Sequence, residues 1–332
     1  MTLNIAWIGC GIHATQMLLP QLVRHDVRLA ALCEIDPTRL EEAGRQFGVQ
    51  RLVTNLDDLL STPGIDAVGM AVGPDQHLAF GKAALARGLP VFMEKPPSAT
   101  AAGARELLEA SKNARKPLFL GFMKRYSIGN KLAGNIIRSG RFGEVMGIQG
   151  RYMTAPGYFA GDVDYSGFFL HHCVHYFDLV SWLVGSPVTA VNARKTEGGK
   201  GRLLIHIDFD FENAALGSLA MGTMQSRGAP VERLEIMSDH QRIEIDNVID
   251  IAWHRNPPFK IVEPEATLDE TVDTLSWRPN FTAAANEDPK GYHAMLADVV
   301  KGLKGEESPA PGIMEGVVAM ERLEAVRKQL GV

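Results

Sequence analysis

Ile5-Ala6-Trp7-Ile8-Gly9-Cys10-Gly11-Ile12-His13-Ala14 is an apolar run that breaks into a glycine-rich turn and then a helical pattern. Strand, GxGxxA and helix in that order is the pattern of a first βα unit that binds a dinucleotide. Gly9 allows the tight turn. Gly11 lets the backbone approach a pyrophosphate, whose charge the helix N-terminus then stabilises. Ala14 takes the third small position, which permits close helix–strand packing. Gly9, Cys10, Gly11, Ile12 and His13 are therefore the candidate cofactor loop.

The same rhythm continues outward from this loop. Short apolar runs at 4–9, 28–34, 66–72, 90–94 and 117–122 predict strands, with helical patterns at 13–24, 37–47, 76–87 and 100–111 between them. Repeated βα units of this length predict a parallel sheet covered by helices on both faces, doubly wound by right-handed crossovers. The rhythm changes after about residue 121. Helices are predicted at 127–138 and 169–183, and closely spaced strands at 188–194, 202–212, 214–221 and 231–246. Residues 223–230 read as a turn, and 251–289 show no clear period. Helical patterns at 290–301 and 313–329 close the chain. The expected fold is an α/β Rossmann domain over 1–121, followed over 122–332 by an α+β domain with an open, largely antiparallel sheet. The last helix is free to pack back on the first domain.

A chain of 332 residues favours two domains over one enlarged core. The net charge of −5 gives no broad electrostatic reason to expect nucleic acid. No run reaches the roughly 18 apolar residues of a membrane span. The opening residues read as a buried strand rather than a signal peptide. Cys10, Cys33 and Cys173 are far apart and odd in number, so neither a disulfide scaffold nor a CxxC site is expected, and a reducing cytoplasm is the simplest compartment.

Two further residues gain meaning from their place at strand ends. Glu34 closes the second strand, 25 residues after Gly9. A carboxylate there accepts hydrogen bonds from adenosine ribose hydroxyls and repels a 2′-phosphate, which favours NAD over NADP. Asp36 is the alternative acceptor, although Pro37 beside it also fits a helix start. Val91-Phe92-Met93-Glu94-Lys95-Pro96-Pro97 delivers a carboxylate, an amine and a rigid proline to the sheet edge where α/β folds gather ligands. On the residues alone, Lys95 is either a donor to a substrate oxygen or a solvated lysine.

These motifs together resemble the Gfo/Idh/MocA oxidoreductases, over nearly the whole chain. GCGIHA at 9–14 matches the family fingerprint, and Glu94-Lys95-Pro96 matches its EKP motif. Gly73-Pro74-Asp75-Gln76-His77 resembles its PNxxH segment, with Gly73 in the usual proline position, and Gly291-Tyr292 before the late helix also looks familial. The resemblance implies a Rossmann domain followed by an open-faced α/β domain, sugar, cyclitol or polyol chemistry, and oligomers formed through the exposed sheet. It adds Gly73, Pro74, His77, Glu94 and Lys95 to the cofactor-binding set. Tyr292 is a candidate substrate contact, or simply caps the packing around the final helices.

Phe169-Leu170-His171-His172-Cys173-Val174-His175-Tyr176-Phe177-Asp178 is the most informative later segment. His171 and His175 are four apart and can share a helical face, with Asp178 on the same side. An imidazole suits proton transfer near neutral pH, and a carboxylate can orient it. Packed or surface histidines are the plain alternative; zinc is a third, unsupported by any HExxH or paired cysteines, and no metal is expected. The family's DxGxH segment falls on His171, Cys173 and His175. The resemblance thus makes His175 the catalytic histidine and Asp178 the downstream acid, while His171 stands where an aspartate is usual. Phe122-Met123-Lys124-Arg125-Tyr126 resembles the family's post-strand segment, in which Arg125 binds a polyol oxygen, a carboxylate or only a structural acid; Arg125 and Asp178 are both candidate substrate contacts. Arg151-Tyr152 and Trp277-Arg278 are further candidate pocket residues.

The expected reaction moves hydride between nicotinamide and a carbinol carbon of a sugar, cyclitol or related polyol. His175 exchanges the hydroxyl proton, Lys95 polarises the same oxygen from the other domain, and His171 holds a neighbouring hydroxyl or tunes His175. Two alternatives stay open: a sugar-modifying enzyme that uses NAD in an internal redox cycle, and an NAD-binding sensor without turnover. The expected partners are a small polyol or sugar and further copies of this chain as a homodimer or homotetramer, which would cover one face of an apolar antiparallel sheet, with no nucleic acid and no membrane.

Overall fold

Leu3–Ile8 (β1) is buried at five of its six positions, as a strand covered on both faces must be. The computed structural model describes residues 1–155, 166–199, 201–225, 231–255, 274–278, 288 and 290–332. They form two units, one of Met1–Met123 with Gly291–Glu324 and one of Lys124–Lys290 with Ala325–Val332.

In the first unit β1 is joined by Val27–Cys33 (β2), Leu52–Val53 (β3), Ala67–Met70 (β4), Val91–Met93 (β5) and Leu118–Leu120 (β6). The sheet order is β3-β2-β1-β4-β5-β6, all parallel, which is the Rossmann arrangement. Chain order reverses at β1, so the loops leaving β1 and β4 diverge at the carboxyl edge. Gly9 is the residue that lets them stay close: its φ is 90°, and a Cβ there would lie 2.3 Å from the Ala71 carbonyl oxygen. The helix Pro37–Phe47 forms as its sequence dictates. Asp36 accepts from the amides of Thr38 and Arg39, proline occupies the first turn, and Gly48 ends it in the left-handed region. The short β3 was not expected from sequence. The late helix Tyr292–Leu303 belongs to this unit, and Gly312 bridges to Phe119 of β6.

The second unit holds Gly147–Met153 (β7), Val188–Glu197 (β8), Leu203–Phe211 (β9), Leu216–Gly222 (β10), Val231–Ser238 (β11), Gln241–Asp246 (β12), Asp250–His254 (β13) and Thr274–Trp277 (β14). Their order is β14-β13-β12-β11-β7-β10-β9-β8, with β7 and β10 parallel and every other pair antiparallel. In β9 the residues Leu203, Ile205, Ile207, Phe209 and Phe211 are buried, while His206, Asp208 and Asp210 alternate to the exposed face. The buried face packs on the helix Val174–Val184, where Phe177 meets Phe209 edge-on at 5.9 Å.

Three expectations need correcting here. The run at 231–246 is two strands, split at a turn where His240 has a φ of 56°. Strand β7 escapes a sequence reading because Gly147 and Gly150 dilute its β pattern. The exposed face of the sheet is not apolar. It carries Arg151, Arg194, His206, Asp208, Asp210 and Arg233 beside the exposed Leu216, because most apolar side chains of the alternation are buried on the other face. Of the stretch without clear period, β13 and β14 are described; residues 256–273, 279–287 and 289 lie outside the described residues, as do 226–230 of the expected turn. Among the described residues no helix is long and apolar enough to cross a membrane.

Candidate functional site

The loop after β1 is tied to the end of β2. Gly9 donates its N–H to the Cys33 carbonyl at 2.9 Å, and the Cys10 N–H donates to Glu34 Oε2 at 2.8 Å. The other Glu34 oxygen accepts from the Asp36 N–H at 3.2 Å. Asp36 spends its own carboxylate on the helix cap. Of the two acceptors left open by sequence, Glu34 is the one beside the glycine-rich loop. Burial, and then the Glu34 charge, push the Cys10 thiol up to about 12, so it stays protonated and is no nucleophile near neutral pH. A Cβ on Gly11 would meet nothing within 4 Å, which leaves room for a phosphate to approach the backbone. Ile12 lies exposed beside it.

The turn after β5 is built from buried parts. His77, 1% exposed, accepts from the Val72 N–H through Nε2 at 3.2 Å and reaches the Pro96 carbonyl with Nδ1 at 2.8 Å. Since an amide N–H can only donate, the ring proton sits on Nδ1 and is given to Pro96. One side chain thereby fixes the loop after β4 to the turn that carries Lys95. Gly73 and Pro74 start the helix Pro74–Ala86, on which His77 lies. We expect His77→Ala to destabilise the fold by about 1–3 kcal/mol, the cost of leaving buried polar groups unmade, and to lower turnover. Chemical denaturation beside kinetics checks this; unchanged stability would remove the assignment.

Glu94 is 5% exposed, and its Oε1 has no hydrogen-bond partner among the described residues. It lies 3.7 Å from Nε2 of His13, which comes from the loop after β1. The His13 ring meets Tyr292 edge-on at 5.7 Å. The structure therefore brings His13, Glu94 and Tyr292 together in the first unit, so Tyr292 stands beside the glycine loop. A buried carboxylate oxygen with spare capacity, a loop with room over Gly11 and an acidic group at the end of β2 fit a dinucleotide with free ribose hydroxyls.

In the second unit the helical stretch begins at Ser166 and runs to Val184 through a π-helical turn, Phe169–Cys173. Wider i→i+5 bonding there breaks the even spacing assumed for His171 and His175. His171 is exposed, whereas His175 is 6% exposed at the start of the regular helix. Asp178 takes a bidentate hydrogen bond from Arg125, with Nε at 2.8 Å from Oδ2 and the other nitrogen on Oδ1. The two side chains are 2% and 11% exposed. Arg125 and Asp178, both candidate substrate contacts, form one buried ion pair, so Arg125 meets a structural acid, the other role left open for it.

Sequence reading assigned no role to Lys124, His172, Tyr176 or Glu232, and left Tyr152 as a candidate pocket residue. Lys124 pairs with Glu232, and the Tyr152 hydroxyl shares a hydrogen bond with Nδ1 of His172. The available signal was parity. Glu232 shares a strand face with the buried Leu234 and Ile236, where a charge demands a partner. Among the described residues no three or more His, Cys, Asp or Glu side chains gather as a metal site requires.

Comparison with known proteins agrees with this geometry. Residues 3–122 match the model of the Gfo/Idh/MocA oxidoreductase family with its NAD-binding Rossmann fold, and residues 131–244 match that family's C-terminal domain. The chain is 26% identical over 345 residues to a myo-inositol 2-dehydrogenase of Thermotoga maritima, covering 99% of this chain and 96% of that enzyme. It is 30% identical over 219 residues to an inositol 2-dehydrogenase of Ralstonia nicotianae, a match that spans 61% of each chain. A dehydrogenase structure from Chromobacterium violaceum superposes with a TM-score of 0.86 at 22% identity, covering 99% of this chain and 95% of that one. Two consecutive domain models of one family, met in the order of its architecture, show that this chain belongs to the Gfo/Idh/MocA oxidoreductases.

Proposed function

We propose that the protein is an NAD-dependent dehydrogenase acting on a secondary hydroxyl of a sugar, cyclitol or related polyol. The observation that carries this is the approach of Glu94 to His13, which puts the Lys95 turn at the glycine-rich crevice. When bound, NAD supplies the hydride acceptor. Glu34 would hold the adenosine ribose, and Gly9, Gly11 and the backbone of Cys10, Ile12 and His13 the phosphates; Gly73, Pro74 and Glu94 would line the remaining contacts. Lys95 donates a hydrogen bond to the substrate oxygen. His175 accepts the hydroxyl proton, which lets the carbinol carbon release hydride without building charge on oxygen. His171, exposed on the π-helical turn, holds a neighbouring hydroxyl, and Asp178 acts through Arg125. The test is a screen of myo-inositol, aldoses and their acids with NAD, following the absorbance of reduced nicotinamide. Turnover of a polyol supports the reading. Tight NAD binding with no turnover across the screen would leave a sensor.

Cofactor choice follows from Glu34. Glu34→Ala should raise the NADP/NAD ratio of kcat/KM by about tenfold or more, since a repelling charge worth roughly 1–2 kcal/mol is removed. An unchanged ratio would remove Glu34 from the ribose site. The three described cysteines are free and buried, which suits a cytoplasmic protein.

Assembly through the second unit's sheet also belongs to this reading. Across strands β8, β9, β10, β7 and β11, the register sets Arg194, His206, Ala220, Arg151 and Arg233 in one row. Asn192, Asp208, Ser218, Gln149 and Glu235 form the next. A two-fold axis between such rows sets basic against acidic side chains. A dimer or tetramer by sedimentation at low salt, weakened at high salt, is expected; a monomer under both conditions rejects it.

A further inference from the structure

The helix that carries His171 and His175 is gripped one residue beyond each of them. Tyr152 and Glu232 are cross-strand partners on β7 and β11. The Tyr152 hydroxyl shares a hydrogen bond with Nδ1 of His172, and their rings stack at 5.4 Å and 25°. Phe168 lies against the same imidazole at 6.2 Å. Four residues on, the Tyr176 ring meets Tyr152 at 5.2 Å. The Lys124 amine lies 5.1 Å from the Tyr176 ring centroid and 5.7 Å from that of Tyr152, and donates to Glu232. Burial, followed by the Glu232 charge, holds the Tyr176 phenol well above its usual range, so it stays a neutral hydroxyl.

We propose that Tyr152, Glu232 and Lys124 are positioning residues that set the rotation of this helix and therefore the aim of His171 and His175. The proposal rests on the reading of His175 as the proton acceptor. Its physical basis is the π-helical turn Phe169–Cys173. Such a turn is rare and is found frequently at functional sites, and its wider i→i+5 bonding shifts the direction of the residues that follow it. Successive residues of a helix point in fixed directions relative to one another. Holding His172 and Tyr176 against the sheet leaves His171 and His175 one orientation each. Lys124 supplies the charge that lets Glu232 sit on an inward strand face, and its position over two phenol rings adds cation–π attraction.

Tyr152→Phe keeps both rings and deletes one hydroxyl, and Glu232→Gln keeps shape and deletes one charge. Both are compared with the unaltered protein by amide hydrogen exchange, by the ring resonances of 15N-labelled His175, and by kinetics with NAD and myo-inositol. Exchange across residues 169–176 should quicken by about tenfold, the factor set by one net hydrogen bond, with the peptides of β1 and β4 unaffected. The His175 ring resonances should move. Turnover should fall in kcat while KM for NAD holds, and Glu232→Asp should restore most of it. Unchanged exchange and unmoved His175 resonances in both variants would overturn the proposal, as would exchange quickened equally throughout the chain. If the unaltered protein turns over no polyol, the dehydrogenase reading fails, and exchange and resonances alone decide this one.

Discussion

Replacing His175 by alanine should lower kcat by about 10²–10⁴-fold, the usual cost of losing a placed general base. NAD affinity should change little, because the contacts that order the glycine loop come from Glu34, Cys33 and Glu94. The side chain is 6% exposed, so alanine also leaves a small cavity, and part of any loss is structural. The pH profile separates the two effects. A base that must be neutral gives activity that rises as pH climbs through its pKa; that limb should vanish in His175→Ala, whereas mere loosening lowers the whole curve. Near-normal turnover at every pH would move the proton to Lys95, His171 or a water.

Asp178→Ala should destabilise the protein by about 3–5 kcal/mol, the range seen when one partner of a buried ion pair is removed. Arg125 would keep its charge at 11% exposure without its bidentate acceptor. A second guanidinium worsens this. Burial, and then the charge of Arg125, pull the pKa of Arg138 down, and Arg138 stacks on Trp182 at 4.4 Å. Replacing both partners, as Arg125→Met with Asp178→Leu, should recover much of the stability, since a well-packed apolar pair avoids the desolvation cost. Denaturant unfolding with a double-mutant cycle measures the coupling. A loss below about 1 kcal/mol in Asp178→Ala would mean that the pair is solvent-screened.

Local rules made the first unit legible. Asp36, Pro37 and Gly48 bracket a helix that the sequence reading bounds to the residue. Gly9 is required by a backbone contact that the strand–turn–helix pattern already implied. The second unit was harder because its information is long-range. Tyr152 meets His172 only once β7 is known to be a strand and its parity is fixed. Arg125 reads equally as a ligand group or as the partner of a structural acid until Asp178 is seen to claim it. Apolar spacing hides the π-helical turn, since Phe169, Leu170, Cys173 and Val174 bury themselves as an ordinary helix would. Alternation in β9 was legible, but which face another copy would cover depends on charge rows that span five strands.

Transfer of deuterium from carbinol-deuterated myo-inositol, or from another deuterated polyol found in the screen, to nicotinamide C4 of NAD tests the central claim most directly. The account predicts deuterium in the reduced cofactor, a slower rate than with unlabelled substrate, and loss of both signals in His175→Ala. Product formed with the label retained and no reduced nicotinamide released, or firm NAD binding with no label transfer from any polyol, would contradict it.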